Sequence, residues 1–128
     1  MLEFQDIRAG NQVLVNSSGV KVTIAKVENN EILLNTIPHS SLFSNEDISG
    51  IPLTTAMLRK LSFENEDANV WAGEGITIRL KEDGIFYGLR ISKSRAKLQY
   101  LHQLQNYISD FYALFREEEY SLDVTLIN

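Results

Sequence analysis

Between Ser94 and Phe115 the apolar residues Leu98, Leu101, Leu104, Ile108, Phe111 or Tyr112, and Phe115 recur at steps of three and four, the period of one face of an α-helix. No Gly or Pro interrupts the run, and the spacing predicts an amphipathic helix of about five or six turns with its stripe against a core. The opposite face carries Gln99, His102, Gln103, Gln105 and Asn106, where a solvated helix usually carries Glu and Lys pairs. Tyr100, Gln103 and Tyr107 form a second stripe beside the buried one. A face so poor in charge reads as a contact surface, met either by the N-terminal β region or by another copy of the chain.

Upstream the period shortens to two. Gln12–Val15, Val20–Val27 (with Val20, Val22 and Ile24 alternating against Lys21, Thr23 and Ala25) and Glu31–Leu34 read as strands. The links Asn16-Ser17-Ser18-Gly19 and Glu28-Asn29-Asn30 suit hairpin turns, and Gly10-Asn11 suits a tight turn into the first strand. Residues 36–50 follow no period and read as a connecting loop. Thr54 or Thr55 caps a short helix to about Leu61, with Met57, Leu58 and Leu61 inward and Pro52 as its upstream boundary. Glu64–Asp67 reads as an acidic turn. Asn69–Trp71, Ile76–Leu80 and Ile85–Ile91 are strand candidates, and Asp83-Gly84 is the clearest hairpin signal. Tyr120–Ile127 closes the chain as a last strand. The pattern predicts an α+β fold in one compact unit, residues 1–128: an N-terminal antiparallel β meander or small barrel (1–37), then an α+β subregion (51–128) of short helix, β-hairpins and one long amphipathic C-terminal helix.

Composition narrows the setting. With 44% hydrophobic and 23% charged residues the chain is ordinary globular material. The absence of cysteine removes disulfides, thiolate zinc sites and cysteine nucleophiles, and suits a reducing cytoplasm. Met1 to Arg8 lack the basic start and apolar run of a signal peptide, and no apolar stretch is long enough to cross a bilayer, so a cytoplasmic protein without a membrane role is expected. A net charge of −5 disfavours nucleic acid at long range, although a local basic patch can override it at contact.

Catalytic signals are weak. His39 falls in a loop, and His102 has only Gln105 and Asn106 at the spacings a metal-binding helix uses, so no metal or cofactor is expected. Gly73, Gly75 and Gly84 punctuate turns without forming a phosphate loop. Neither a nucleophile elbow nor a set-apart acid pair is present, which points away from an enzyme. The cations are more informative. Arg90, Lys93, Arg95 and Lys97 cluster without an acid between Gly88 and Leu98. With the Ser92 and Ser94 hydroxyls and the free N–H groups of the predicted helix start, they compose an anion site. If Arg79 and Lys81 lie on the neighbouring strand, the patch widens. These cations at the predicted N-terminus, with Glu117, Glu118 and Glu119 beyond the C-terminus, oppose the helix macrodipole. Trp71, Tyr87, Tyr100 and Tyr107, with His102 and Gln103, are candidates for stacking on a ligand or anchoring a partner. Phe86 and Tyr87 point to opposite faces, so at most one of them joins the helix-side core.

The strings I-R-A-G-N-Q-V at Ile7–Val13, I-P-L-T at Ile51–Thr54 with L-x-F at Leu61–Phe63, and Y-L-H-Q-L-Q-N at Tyr100–Asn106 resemble, in the same order, a family of small proteins of Bacteroidetes genomes, phages and mobile elements. The resemblance spans about Ile7 to Phe115 and implies a phage or mobile-element setting; it implies no reaction and no catalytic residues. The expectation is a non-enzymatic binding protein that self-associates through the long helix and captures a phosphate-bearing ligand such as a signalling nucleotide. A host-protein interaction or inhibitor module is the first alternative, and a nucleic-acid-binding module the second.

Overall fold

A computed structural model describes residues 2, 4–29, 31–35, 41–89 and 95–127. The chain divides into two compact units, Met1–Ile51 with Tyr100–Asn106, and Pro52–Gln99 with Tyr107–Asn128. The α+β architecture expected from the sequence is present: antiparallel sheets, a short helix and a longer C-terminal one.

The first unit is built on β1 (Gln12–Val15), β2 (Lys21–Glu28), β3 (Glu31–Asn35), β4 (Ser41–Phe43) and β5 (Ile48–Ser49), in the spatial order β4-β3-β2-β1-β5. Four strands run as a meander, and the fifth returns to the far edge of the first, pairing Leu14 with Ser49 and Val15 with Ile48. Ser41–Phe43 and Ile48–Ser49 are thus strands where no period predicted them. β4 is three residues long and β5 two, too short to establish alternation, and a 3-10 turn at Asn45–Asp47 separates them. That turn is capped reciprocally: the Ser44 hydroxyl accepts from Glu46 N–H, and the Asp47 carboxylate accepts from Ser44 N–H. Ile7, Val13, Val15, Ile24, Ile32, Leu34 and Ile48 fill the interior.

The second unit carries β6 (Glu64–Asp67), β7 (Val70–Gly73), β8 (Ile76–Leu80), β9 (Phe86–Leu89) and β10 (Arg95–Leu98), adjacent in chain order and all antiparallel. One face is packed and the other is wet: Trp71, Ile76, Ile78, Phe86, Ala96 and Leu98 are buried, while Thr77, Arg79 and Lys97 are exposed. Helix α1 (Thr55–Lys60) is capped by the Thr54 hydroxyl, which accepts from Met57 N–H at 3.1 Å, and it buries Leu58. Glu64–Asp67, expected as a turn, is an exposed edge strand with a bulge between Asn65 and Asp67, and its acids suit a sheet edge that must stay unpaired.

The long helix, α2, spans Leu101–Phe115, fifteen residues, and does not begin at Ser94. Arg95–Leu98 is strand β10, paired with β9. The helix starts where the Gln103 side chain reaches back to accept Tyr100 N–H at 3.0 Å, half of a capping box. It ends where Glu117 takes a left-handed conformation (φ +50°) and Glu118 N–H returns to the Tyr112 carbonyl. Residues 101–106 belong to the first unit and 107–115 to the second. The expected final strand at Tyr120–Ile127 is instead an extended passage ending in a 3-10 turn, Val124–Ile127. It is anchored by buried Leu122, by the Ser109 hydroxyl donating to Tyr120 O at 3.0 Å, and by the Tyr120 ring stacked 4.3 Å from that of Tyr112. Among the described residues no helix is long and apolar enough to cross a membrane.

Candidate functional site

The amide face of the helix closes on the N-terminal turn. In the first unit Gln105 Oε1 accepts Gln12 N–H at 3.0 Å while its Nε2 donates to Gly10 O at 3.1 Å. Asn106 Nδ2 donates to Asp6 O, and its Oδ1 accepts from Asn11 Nδ2, both at 2.9 Å. Asn11 Oδ1 in turn accepts Arg8 N–H at 2.8 Å. The turn meets β2 at one point, where Gly10 N–H donates to Ile24 O and Asn11 O accepts Ile24 N–H, and the two helix amides satisfy backbone groups that this pairing leaves over. Two of the strings singled out in the sequence, Ile7–Val13 and Tyr100–Asn106, therefore meet each other, and Ile51 of the third accepts Leu101 N–H at 2.8 Å.

His102 lies in the same seam, 1% exposed, its ring 5.8 Å from that of Tyr100 and nearly parallel to it. Burial pulls its pKa from 6.5 down to about 4, with the Asp6 carboxylate the opposing influence. Its Nδ1 is buried without a hydrogen-bond partner, as is Gln12 Oε1. Tyr100 and Tyr107, read from sequence as interface residues, lie against glycines inside their own units. A Cβ on Gly50 would stand 2.5 Å from the Tyr100 ring, and one on Gly88 would stand 2.6 Å from that of Tyr107. Trp71 is buried, with the Arg59 guanidinium 5.3 Å from its ring centre.

Of the expected anion site, Arg95 and Lys97 lie among the described residues. The segment holding Arg90, Ser92, Lys93 and Ser94, like His39, lies outside the described residues. Arg95 and Lys97 stand on β10 and not at a helix start; the helix begins after them and has no charged residue in its first turn. The helix-dipole argument for an anion there, and the cations' conflict with the macrodipole, go with that boundary, while Glu117, Glu118 and Glu119 still follow the helix end.

The strand placement builds a different arrangement from some of the same residues. The ladder registers Arg79 opposite Tyr87 and Tyr87 opposite Lys97, so three adjacent strands present cation, aromatic ring and cation in one row on the wet face. Arg79 and Lys97 are exposed and Tyr87 is half-buried, the inverse of buried Phe86 beside it, as strand alternation requires. Cross-strand neighbours stand one strand spacing apart, so the two cations are rooted about 10 Å from each other across the ring. Asp83 anchors the row. Its carboxylate accepts Ile85 N–H at 3.0 Å and the Tyr87 hydroxyl at 2.9 Å, and these bonds, with Lys97 nearby, hold it below the usual carboxylate range. Lys81 follows at the end of β8, half-buried.

Comparison with family models, with curated proteins and with solved structures returns no match.

Arg79 entered the sequence reading only conditionally, yet the hairpin signal locates it. With the turn centred on Asp83, the partners equidistant from it in the chain are Leu80 with Phe86 and Arg79 with Tyr87, as the register has them. Among the described residues no group of three or more His, Asp and Glu could hold a metal ion. An open hollow on the β2–β3 hairpin, lined by Lys26, Glu28, Asn29, Glu31 and Leu33, already has its cation paired, Lys26 Nζ lying 2.6 Å from the Glu28 carboxylate.

Proposed function

We propose that this chain is a non-enzymatic cytoplasmic binding protein, of the kind phages and mobile elements encode, that captures an anionic, phosphate-bearing ligand on the open face of the second sheet. The single observation behind this reading is the row Arg79–Tyr87–Lys97: two exposed cations flanking a ring that Asp83 holds in place. A planar group stacks on the ring and its phosphates meet the cations, contacts that are charge-assisted and therefore stronger than neutral ones. Thermal-shift measurements against a panel of nucleotides and inorganic phosphate test it. A ligand at one hundred times its dissociation constant stabilises the fold by about 2.7 kcal/mol, and Lys97→Ala diminishes that shift while leaving the unliganded Tm in place. No shift across the panel, with no binding of an oligonucleotide either, removes the reading.

A second reading, a protein-interaction module, draws on the far end of α2. Leu114 and Phe115 are 62% and 58% exposed, Phe111 lies 5.0 Å from Phe115 ring to ring, and exposed Glu117, Glu118 and Glu119 follow at once. Neighbouring apolar side chains left in water mark contact surfaces. Sedimentation equilibrium of the parent and of Leu114→Lys separates self-association from a monomer awaiting a host protein: an oligomer that the substitution dissolves supports assembly through the helix, as expected from the sequence.

A further inference from the structure

We infer that the ligand of the open face is single-stranded nucleic acid, one base stacked on Tyr87 with the phosphates on its two sides held by Arg79 and Lys97; this rests on the anionic-ligand reading of that face. Three features separate a strand from a free nucleotide. The first is symmetry. A mononucleotide carries all its phosphates on one side of the base, whereas an internal nucleotide of a strand has one on each side, and the two cations stand on opposite sides of the ring. The second is shape. Free nucleotides are held in concave sites that bury most of their surface, while Arg79 and Lys97 project from strands of an open sheet face, the kind of platform on which extended single strands stack. The third is charge. Asp83 lies beside Tyr87 and near Lys97, so the compact charge of a di- or triphosphate at that end meets a carboxylate, and single spaced phosphates meet less of it. Duplex is disfavoured because its bases offer no free face to the ring, and the chain's net charge of −5 repels it at long range.

Fluorescence anisotropy on the full chain with a fluorescein-labelled oligo-dT single strand, the matching duplex, and unlabelled thymidine monophosphate as competitor tests this. The single strand binds more tightly than the duplex, and the logarithm of its binding constant falls against that of salt with a slope of about −1.4 for two neutralised phosphates. Arg79→Ala and Lys97→Ala each bring the slope to about −0.7. Tyr87→Ala weakens binding about 5- to 150-fold with little change of slope, and Tyr87→Phe, which keeps the ring, stays near the parent. If Tyr87→Ala fails to fold, the two exposed cation variants carry the test alone. Equal affinity for duplex, or a slope unmoved by both cation variants, overturns the proposal. A mononucleotide that stabilises the protein while the oligomer fails to bind overturns it too, but leaves the anionic-ligand reading standing; silence from nucleotide and oligomer alike removes both.

Discussion

Lowering the pH should loosen the first unit through one residue. His102 is 1% exposed, and its pKa falls from 6.5 to about 4 because burial disfavours the imidazolium. Between those two values the unfolded chain binds a proton that the folded chain refuses, so stability rises with pH across this window. The contribution is fully present above pH 6.5, is lost progressively as pH falls toward 4, and changes no further below. A displacement of about 2.5 units is worth about 3 kcal/mol at 1.36 kcal/mol per unit, a large share of the 5–15 kcal/mol typical of a domain. The Asp6 carboxylate raises the histidine's pKa, so Asp6→Asn should extend the dependence to lower pH. Urea midpoints from pH 8 to pH 4.5 for the parent and for His102→Leu supply the measurement. The parent loses stability over that interval, and the variant, with nothing to titrate there, loses far less. At pH 8 the variant stays close to the parent, because removing a Nδ1 that has no partner offsets part of the packing change. Identical slopes for the two proteins would refute the reasoning.

Three other substitutions test the packing. Gly50→Ala forces a Cβ to within 2.9 Å of three Tyr100 atoms, including that residue's own Cβ, so it destabilises by about 1–3 kcal/mol in chemical denaturation. Gly88→Ala meets the flexible far end of Tyr107 and costs less. Gln105→Leu strands Gln12 N–H inside the protein and costs about 1–3 kcal/mol, visible in urea unfolding and as faster amide exchange at Gln12. Tyr120, whose hydroxyl donates to the Glu74 carboxylate, has its pKa pushed up to about 12, so ultraviolet titration shows one tyrosine ionising late, and Tyr120→Phe removes that late phase.

Local pattern foretold some elements and missed others, and the difference is physical. Strand β8 alternates along its length, β2 alternates as far as Ile24, and β1 is a short apolar run; all three end at turn residues, so each shows within its own length. β4 and β5 owe their existence to β3 and β1, which no local pattern records. The misplaced helix start turns on Leu98. It closes the two-residue alternation Ala96, Leu98 and also opens the three-four series Leu98, Leu101, Leu104, so both periods claim it. The Gln103 side chain resolves the contest by capping Tyr100, a signal readable only once the competing strand is considered.

That shift of six or seven residues changes what the cations can do. At a helix start, Arg95 and Lys97 would add their charge to converging N–H groups and hold a compact phosphate. On β10 the backbone is extended and paired with β9, with no converging helix-start N–H groups, and Lys97 comes into line with Tyr87 and Arg79 instead. Under the proposed reading, cations on β8 and β10 with a ring between them suit a ligand as long as the row better than a point anion. The amide face had the opposite fate. Its lack of charge was legible as a contact, and the N-terminal turn Asp6–Gln12, one of the two partners expected for it, takes up Gln105 and Asn106 within the chain. An oligomer would therefore have to use other surface, and the exposed Leu114 and Phe115 are where the helix still offers it.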